Sequence, residues 1–439
     1  MDEPDEFPQV TTWEGDCIEV LANFAECSID AIVTDPPYAL SFMGKEWDSF
    51  GDGIGFQKWC EQWARECLRV LKPGGYLLAF GGTRTYHREA CAIEDAGFEI
   101  RDSLHWIYGS GFPKSRDIGK AIDKEAGALR RVVGTKLGQP GYSLAPSNND
   151  HRTYGRGLGN TSNPAMECAI TKPATDEAKE WEGWGTALKP AHEPIVVARK
   201  PLAVKHTVAA NVLEYGTGAI NVDGCRIEGD VPHTIQGQSA NAGELYGADQ
   251  RDQREFVPNE SGRWPPNIIL THSPDCIVPE DMHNDCAVDC PVAEMDRQSG
   301  DTKSVKRSPT DKDSRGIPND SNMVMRRQDT VERGFADTGG ASRFFPCFRY
   351  NAKAPKKERP IVEGLPGHPT VKPVALIQWL VKLVTPPNGV VLDPFAGTGT
   401  TAEACLKEGL YCILIENDPD SIKRIDARLA KYNSTKEAV

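Results

Sequence analysis

The sequence predicts an α/β fold: a mostly parallel central sheet, helices on both of its faces, and a long irregular insert. Three observations predict it. Strand-type and helix-type patterns alternate over the first 110 residues, the same alternation returns over the last 97, and the stretch between is punctuated by Gly, Asn, Ser and Pro.

The elements follow in order. SIDAIVTDPPY carries a short apolar run ending at Asp35, which reads as a strand. FQKWCEQWARECLRVLKPGG is an amphipathic helix stopped by Pro73 and Gly74, and YLLAFGG is a buried strand. HREACAIEDAGF is a helix closed by Gly97, and EIRDSLHWIYG is a strand. From Ser110 to about Trp184 the pattern breaks, with one short helix at DIGKAIDKEAG; HEPIVVARK restores a strand. Residues 201–342 are again polar and broken by turns. VALIQWLVKLVTPP is a helix ended by Pro386 and Pro387, GVVLDPFAGTGTTAEACLKEGL is strand, glycine loop and helix, and YCILIENDP is a strand ending in acid. The two ends therefore read as halves of one sheet, split by an insert of a size that usually serves a function. The divisions expected are 1–200, with a loop-rich insertion at about 111–186; an insert over 201–342; and 343–439.

Composition sets the class. Of 439 residues, 39% are hydrophobic and 26% charged, and 41 Gly with 32 Pro make the chain loop-rich without making it disordered. No apolar run approaches the roughly 18 residues of a membrane span. MDEPDEF has neither the basic start nor the apolar stretch of a signal peptide, so a cytoplasmic protein is expected. The 13 cysteines then read as free thiols unless clustered at ligand spacing. Net charge is -13, yet Lys303 to Arg359 holds 14 Lys/Arg against 7 Asp/Glu, a local +7, and Lys114 to Arg156 holds 9 against 4. A basic face on an acidic body suits phosphate binding, because the nearby field decides contact energy.

Two motifs carry chemistry. In VVLDPFAGTGTT a strand runs into a loop with Gly397 and Gly399 and then a helix, which lets a ligand approach the backbone at the edge of the sheet. The spacing is not Gly-x-Gly-x-x-Gly and no Gly-Lys-Ser/Thr follows, which argues against a dinucleotide or a nucleoside triphosphate. Glu416, ending the next strand 17 residues after Gly399, is placed to reach ribose hydroxyls. The second motif is Asp35, Pro36, Pro37 and Tyr38. Two prolines after a buried strand fix φ and remove two N–H donors, leaving carbonyls to face the cleft. Asp35 and the Pro36 carbonyl can then accept both hydrogens of an exocyclic amino group, and Tyr38 offers a flat face to a base.

DPPY at 35–38, FAGTGT at 395–400 and HPTVKP at 368–373 together resemble the motifs of β-class amino DNA methyltransferases, in which DPPY precedes the target-recognition insert and the glycine motif follows it. The resemblance covers about 200 residues at the two ends. It implies the Rossmann-like fold of S-adenosylmethionine-dependent methyltransferases and a site-specific DNA methyltransferase that flips its target base out of the duplex. It places Asp35, Pro36, Pro37 and Tyr38 around that base. It puts Asp16, Cys17, Asp393, Phe395, Ala396, Gly397, Thr398, Gly399, Glu416 and Asn417 along S-adenosylmethionine, with Asp16 near the cofactor's amino group and Glu416 on its ribose. Thr370 and Lys372 would meet the methionine carboxylate, a helix N-terminus and a cation facing an anion. The insert would read double-stranded DNA through Arg326, Arg327, Arg333 and Arg343, and a cognate restriction endonuclease is the second partner such an enzyme can have. Asp at the head of DPPY favours adenine N6 over cytosine N4, whose enzymes more often carry Ser-Pro-Pro. A catalytically silent DNA-binding relative, or an RNA or protein substrate, are the other readings.

His272, Cys276, Cys286 and Cys290 lie as H-x3-C-x9-C-x3-C, two pairs of ligands that suit tetrahedral structural zinc in a region with little core, with His283 as a substitute for His272.

Overall fold

The computed structural model describes residues 9–40, 50–109, 115–137, 167–203, 207–227, 262–273, 276, 286–287, 290–303, 338–348, 359–368 and 370–437. Along the chain these form β1 (Val10–Glu14), α1 (Cys17–Leu21), β2 (Ile29–Thr34), α2 (Gly53–Val70), β3 (Leu71–Phe80), α3 (Tyr86–Asp95) and β4 (Glu99–Ile107). The middle holds α4 (Ile118–Glu125), the antiparallel pair β5 (Arg131–Leu137) and β6 (Glu167–Lys172), α5 (Asp176–Glu180), β7 (His192–Arg199) and α6 (Val208–Tyr215). Then come β8 (Ile268–Thr271), α7 (Pro291–Ser299), β9 (Thr302–Lys303), β10 (Thr338–Gly339) and β11 (Cys347–Phe348). The chain closes with α8 (Val374–Val384), β12 (Val390–Asp393), α9 (Thr400–Lys407), β13 (Tyr411–Glu416) and α10 (Pro419–Glu437).

Nine strands make one sheet in the order β1-β13-β12-β2-β3-β7-β4-β8-β11. All pairings are parallel except the two made by β7, which runs against β3 and β4. The expected mostly parallel sheet is therefore present, and its two chain-end halves meet where β12 lies beside β2. Every residue of β2 is buried, as a central strand covered on both faces requires. On one face α2 turns Phe56, Cys60, Trp63, Ala64, Cys67 and Val70 inward at helical spacing, and Ile32, Leu77 and Ala79 from the sheet join them. On the other face α8 and α9 cover Val33, Leu78 and Phe80. No helix among the described residues is long and apolar enough to cross a membrane.

One boundary differs from the sequence reading. The helix expected to run to Pro73 stops at Val70, and Leu71 already has extended backbone. The residue before a proline is driven out of the helical region, and Lys72 is held by an ion pair to Asp30 at 2.6 Å. The other carboxylate oxygen of Asp30 accepts the Val390 N–H at 2.8 Å, so this one buried acid stitches β3, β2 and β12 together. Beyond β4 the sheet extends through β8 and β11, two short strands from stretches whose sequence reads as broken chain.

Candidate active site

Parallel strands deliver their C-terminal ends to one edge, and the residues that follow them gather there. Gly15 and Asp16 follow β1, Asp35 follows β2, Gly82 lies beyond β3, Tyr108 follows β4, Asp393 ends β12 and Glu416 ends β13. Because β7 runs the opposite way, its beginning reaches this edge, which brings in Glu193. Together these residues line a cavity of about 1170 Å³ that contains both the DPPY segment and the glycine loop.

At one end Asp35, Tyr38, Glu193 and Lys372 form a single network. The Lys372 ammonium lies 2.8 Å from Asp35 Oδ2 and 3.0 Å from Glu193 Oε2, and donates to the Tyr38 hydroxyl at 3.0 Å. The phenol in turn lies 2.6 Å from Asp35 Oδ1 and 3.0 Å from Glu193 Oε2; its one proton serves one acceptor at a time. Lys372 also sits 4.7 Å from the Phe80 ring centroid. Burial alone would lower its ammonium, but the Asp35 and Glu193 carboxylates hold it above its usual range. Burial, with the charges of Asp35 and Glu193 beside it, pushes the Tyr38 phenol well up, so Tyr38 remains a proton donor. The result is a fixed carboxylate with its second oxygen pinned by a cation, at the mouth of an apolar cleft.

At the other end the glycine loop turns through left-handed backbone at Gly397 (φ 54°) and Gly399 (φ 74°). A side chain at Gly399 would press on Ile425 of α10, 3.2 Å away, whereas nothing lies within 4 Å of one at Gly397, which leaves that approach open. Glu416 accepts the Gly397 N–H at 2.7 Å and the Asp418 N–H at 2.9 Å. A carboxylate has about four acceptor sites, so Glu416 keeps capacity for the two hydroxyls of a ribose, and the loop fits the nucleoside end of S-adenosylmethionine. Arg428 fastens the loop from behind by donating to the Thr398 carbonyl at 2.7 Å.

The predicted cofactor residues divide. Asp16 caps α1 through Oδ1, and Cys17 is buried with its thiol pushed up to about 12 by burial; both line the cavity. Phe395 lines the cavity while packing on Trp59 at 5.5 Å and Trp63 at 5.6 Å. Ala396 is buried, its N–H bonded to Ile415, and Asn417 lies on the cavity wall. Asp393 is turned inward: Oδ1 accepts from Thr34 at 2.7 Å and the Phe395 N–H at 3.1 Å, and Oδ2 accepts from Thr401 at 2.6 Å. Burial pushes its carboxyl up to about 6 against the pull of those donors. Asp393→Ala would strand two buried hydroxyls, Thr34 on β2 and Thr401 on α9, and we expect a stability loss of about 2–4 kcal/mol by urea unfolding.

Thr370 is exposed and lines the cavity; Lys372, expected at the cofactor's carboxylate, lines it too, and its ammonium joins the Asp35 network. Lys372 precedes α8 on the side of the sheet where Phe80 and Tyr38 pack. Two acids escaped sequence reading. Glu193 reaches the site only because β7 is antiparallel. Glu89 of α3 is 1% exposed, with burial and then the Asp35 charge pushing its carboxyl well up. No local signal marks either one.

Among the expected DNA contacts, Arg326, Arg327 and Arg333 lie outside the described residues, as does His283. Arg343 is described: it stacks 4.2 Å from the Phe344 ring centroid and donates to the Gly339 and Gly340 carbonyls. His272, Cys276, Cys286 and Cys290 are brought together, their ligand atoms all within 4.8 Å of one another.

Residues 29–426 match the model of the N6/N4 methyltransferase family, described as DNA methylase. The chain is 33% identical over 110 residues to the Type II methyltransferase M.HinfI of Haemophilus influenzae, a span of 22% of this chain and 31% of that one. It is 38% identical over 103 residues to the Type II methyltransferase M.HpaI of Haemophilus parainfluenzae, 23% and 32% of the two chains. The matched spans thus cover about a third of those relatives. Among solved structures, the cytosine-N4-specific PvuII DNA methyltransferase aligns over 95% of this chain and 86% of its own at 13% identity and TM-score 0.41. The complex of M1.HpyAVI with SAM aligns over 96% of this chain and 99% of its own at 13% identity and TM-score 0.35.

Proposed function

The chain belongs to the N6/N4 DNA methylase family, and on that premise we propose that it transfers a methyl group from S-adenosylmethionine to the exocyclic N6 of adenine in double-stranded DNA. The observation that carries this reading is the Asp35 carboxylate, held by Lys372 and Tyr38 at the end of a cleft whose other end is the glycine loop. Gly397, Gly399 and Glu416 hold the cofactor's nucleoside, with Asp16 and Phe395 about its base. When bound, S-adenosylmethionine supplies a methyl on a positively charged sulfur, open to in-line displacement. The chain's own part is positioning, the term that reduces most of such a barrier. Asp35 and the Pro36 carbonyl accept the two amino hydrogens and aim the nitrogen lone pair down the cleft. As nitrogen gains the methyl it sheds a proton, and Asp35, already accepting one of its hydrogens, takes that proton; Lys372 and Tyr38 keep that carboxylate from turning away.

A base within a duplex cannot reach this cleft, so the target is flipped at a cost of a few kcal/mol, partly offset by contact with Tyr38. Asp at the head of DPPY is the reason to choose adenine over cytosine N4. Nucleoside analysis of DNA from cells expressing the protein tests this: N6-methyladenine is expected, and N4-methylcytosine in its place overturns the choice of base. The reading places the protein in the cytoplasm with duplex DNA as partner, a cognate endonuclease as a second one, residues 201–342 as the target-recognition insert between the two catalytic parts, and a structural zinc ion on His272, Cys276, Cys286 and Cys290. Replacing Arg326 and Arg327 by Ala should lower the salt slope of DNA binding by about two, with cofactor affinity unchanged; filter binding at several salt concentrations measures it. Equal losses on cognate and altered sites would assign these arginines to phosphate, unequal losses to base edges.

A further inference from the structure

The outer edge of the sheet is thinly built. Among the described residues, strands β8 and β11 adjoin a small cluster in which Leu270, Cys290 and Val292 are fully buried, with Ile107, Ile268, Met295 and Phe345 partly buried against them. So little apolar surface does not hold a region of this size by itself. The four metal-type ligands converge there. His272 directly follows β8, and Cys290 is the residue that caps α7. His272 Nδ1 stands 3.3 Å from Cys286 Sγ and 3.5 Å from Cys290 Sγ. Ligands at zinc distances of about 2.0 and 2.3 Å in a tetrahedron are separated by about 3.5 Å, so these edges already have the required length. The backbone supports the sulfurs: the Ser273 N–H donates to Cys290 Sγ at 3.4 Å and the Ala287 N–H to Cys276 Sγ at 3.3 Å.

What α7 carries gives this site a consequence. Its Asp296 carboxylate accepts the Ser342 N–H at 2.7 Å and the Ser342 hydroxyl at 2.6 Å, and Ser299 Oγ accepts the Ala341 N–H at 2.9 Å. Thr302 and Lys303, just after α7, pair with Gly339 and Thr338, and the Arg343 guanidinium donates to Thr302 on one side and to Gly339 and Gly340 on the other. The chain from 304 to 337, which carries Arg326, Arg327 and Arg333, thus leaves and re-enters a small hydrogen-bonded unit that is joined to the rest of the fold through β11, the cluster at the end of β8 and the Arg263 guanidinium, which donates to the Arg343 carbonyl at 3.1 Å. His272 also leaves β8 at the edge where Asp35 leaves β2, four strand spacings or roughly 19 Å along one rim.

We propose that the metal centre is the clamp between the catalytic sheet and the DNA-reading unit: zinc tied to His272, Cys276, Cys286 and Cys290 holds α7, and with it the β9–β10 ladder, on the rim of the cleft. Zinc then governs DNA affinity and leaves cofactor affinity alone. The inference rests on reading the four residues as a zinc site, and the experiment separates the two. The full chain is purified, its zinc measured by elemental analysis, and its affinities for S-adenosylmethionine and for a mixed-sequence DNA duplex measured before and after chelation, after zinc is returned, and in Cys286→Ser. About one zinc per chain is expected. Its loss should weaken DNA binding about ten-fold or more while cofactor affinity stays within about two-fold, and added zinc should restore the wild type but not the variant. A chain that holds no zinc, even when zinc is supplied, overturns the ligand assignment and the clamp together. A chain that holds zinc but binds DNA equally well without it keeps the site and overturns the clamp, as does a parallel loss of cofactor affinity, which would signal general unfolding.

Discussion

Asp35→Ala is expected to cut methyl transfer by about 10³-fold or more, with S-adenosylmethionine bound almost as tightly as by the parent. The carboxylate is the only group on the DPPY segment that can both accept an amino hydrogen and take up the proton, and it stands apart from the glycine loop proposed to hold the nucleoside. Removing it also leaves Lys372 with Glu193 as its remaining carboxylate at 3.0 Å, so the cation stays paired and the fold is spared. Single-turnover methylation beside calorimetric titration of the cofactor measures both quantities. A large loss of cofactor affinity with little loss of turnover would remove Asp35 from the reacting centre.

Lys372→Met should lower turnover by about 10²-fold while leaving cofactor affinity within about three-fold. The methionine fills the same slot against Phe80, but Asp35 and Glu193 then face each other across a shared phenol with no cation between them. Mutual repulsion turns Asp35 away from the aim that Lys372 gave it. The same two measurements decide between the two homes considered for this lysine. If the variant loses cofactor affinity and keeps its maximal rate, the lysine serves the methionine carboxylate that HPTVKP suggested, and its contact with Asp35 is secondary.

What the sequence disclosed and what it hid follow from the range of the interactions involved. The buried run before Asp35, the helix face of Phe56, Cys60 and Trp63, and the turn at Gly397 and Gly399 are local patterns, and each stands where periodicity and turn chemistry put it. The direction of β7 is not local: HEPIVVARK reads as a strand either way, and only its insertion between β3 and β4 makes it antiparallel and delivers Glu193 to Asp35. Lys372 was visible as a cation near a helix start, but its partner lies 334 residues away at Tyr38. Asp393 was visible as the acid before a glycine loop, and its inward turn depends on Thr34 from the opposite end of the chain. The spacing of His272, Cys276, Cys286 and Cys290 announced a cluster, while its place between the end of β8 and the start of α7 became visible only in three dimensions.

The seam between β2 and β12 bears on how the protein is made. Thr34 and Asp393, which close that seam, are 359 residues apart. At roughly 5–20 residues per second on a ribosome, β2 waits on the order of 20–70 s before the strand that covers its flank has been synthesised. During that interval a strand destined for complete burial presents an unpaired edge, the kind of surface on which other chains nucleate aggregates. β1 waits as well, since its neighbour in the sheet is β13. The nascent chain therefore completes its catalytic cleft as a late event after long exposure, and protection by a chaperone over that interval would set the yield of active protein more than the stability of the finished fold.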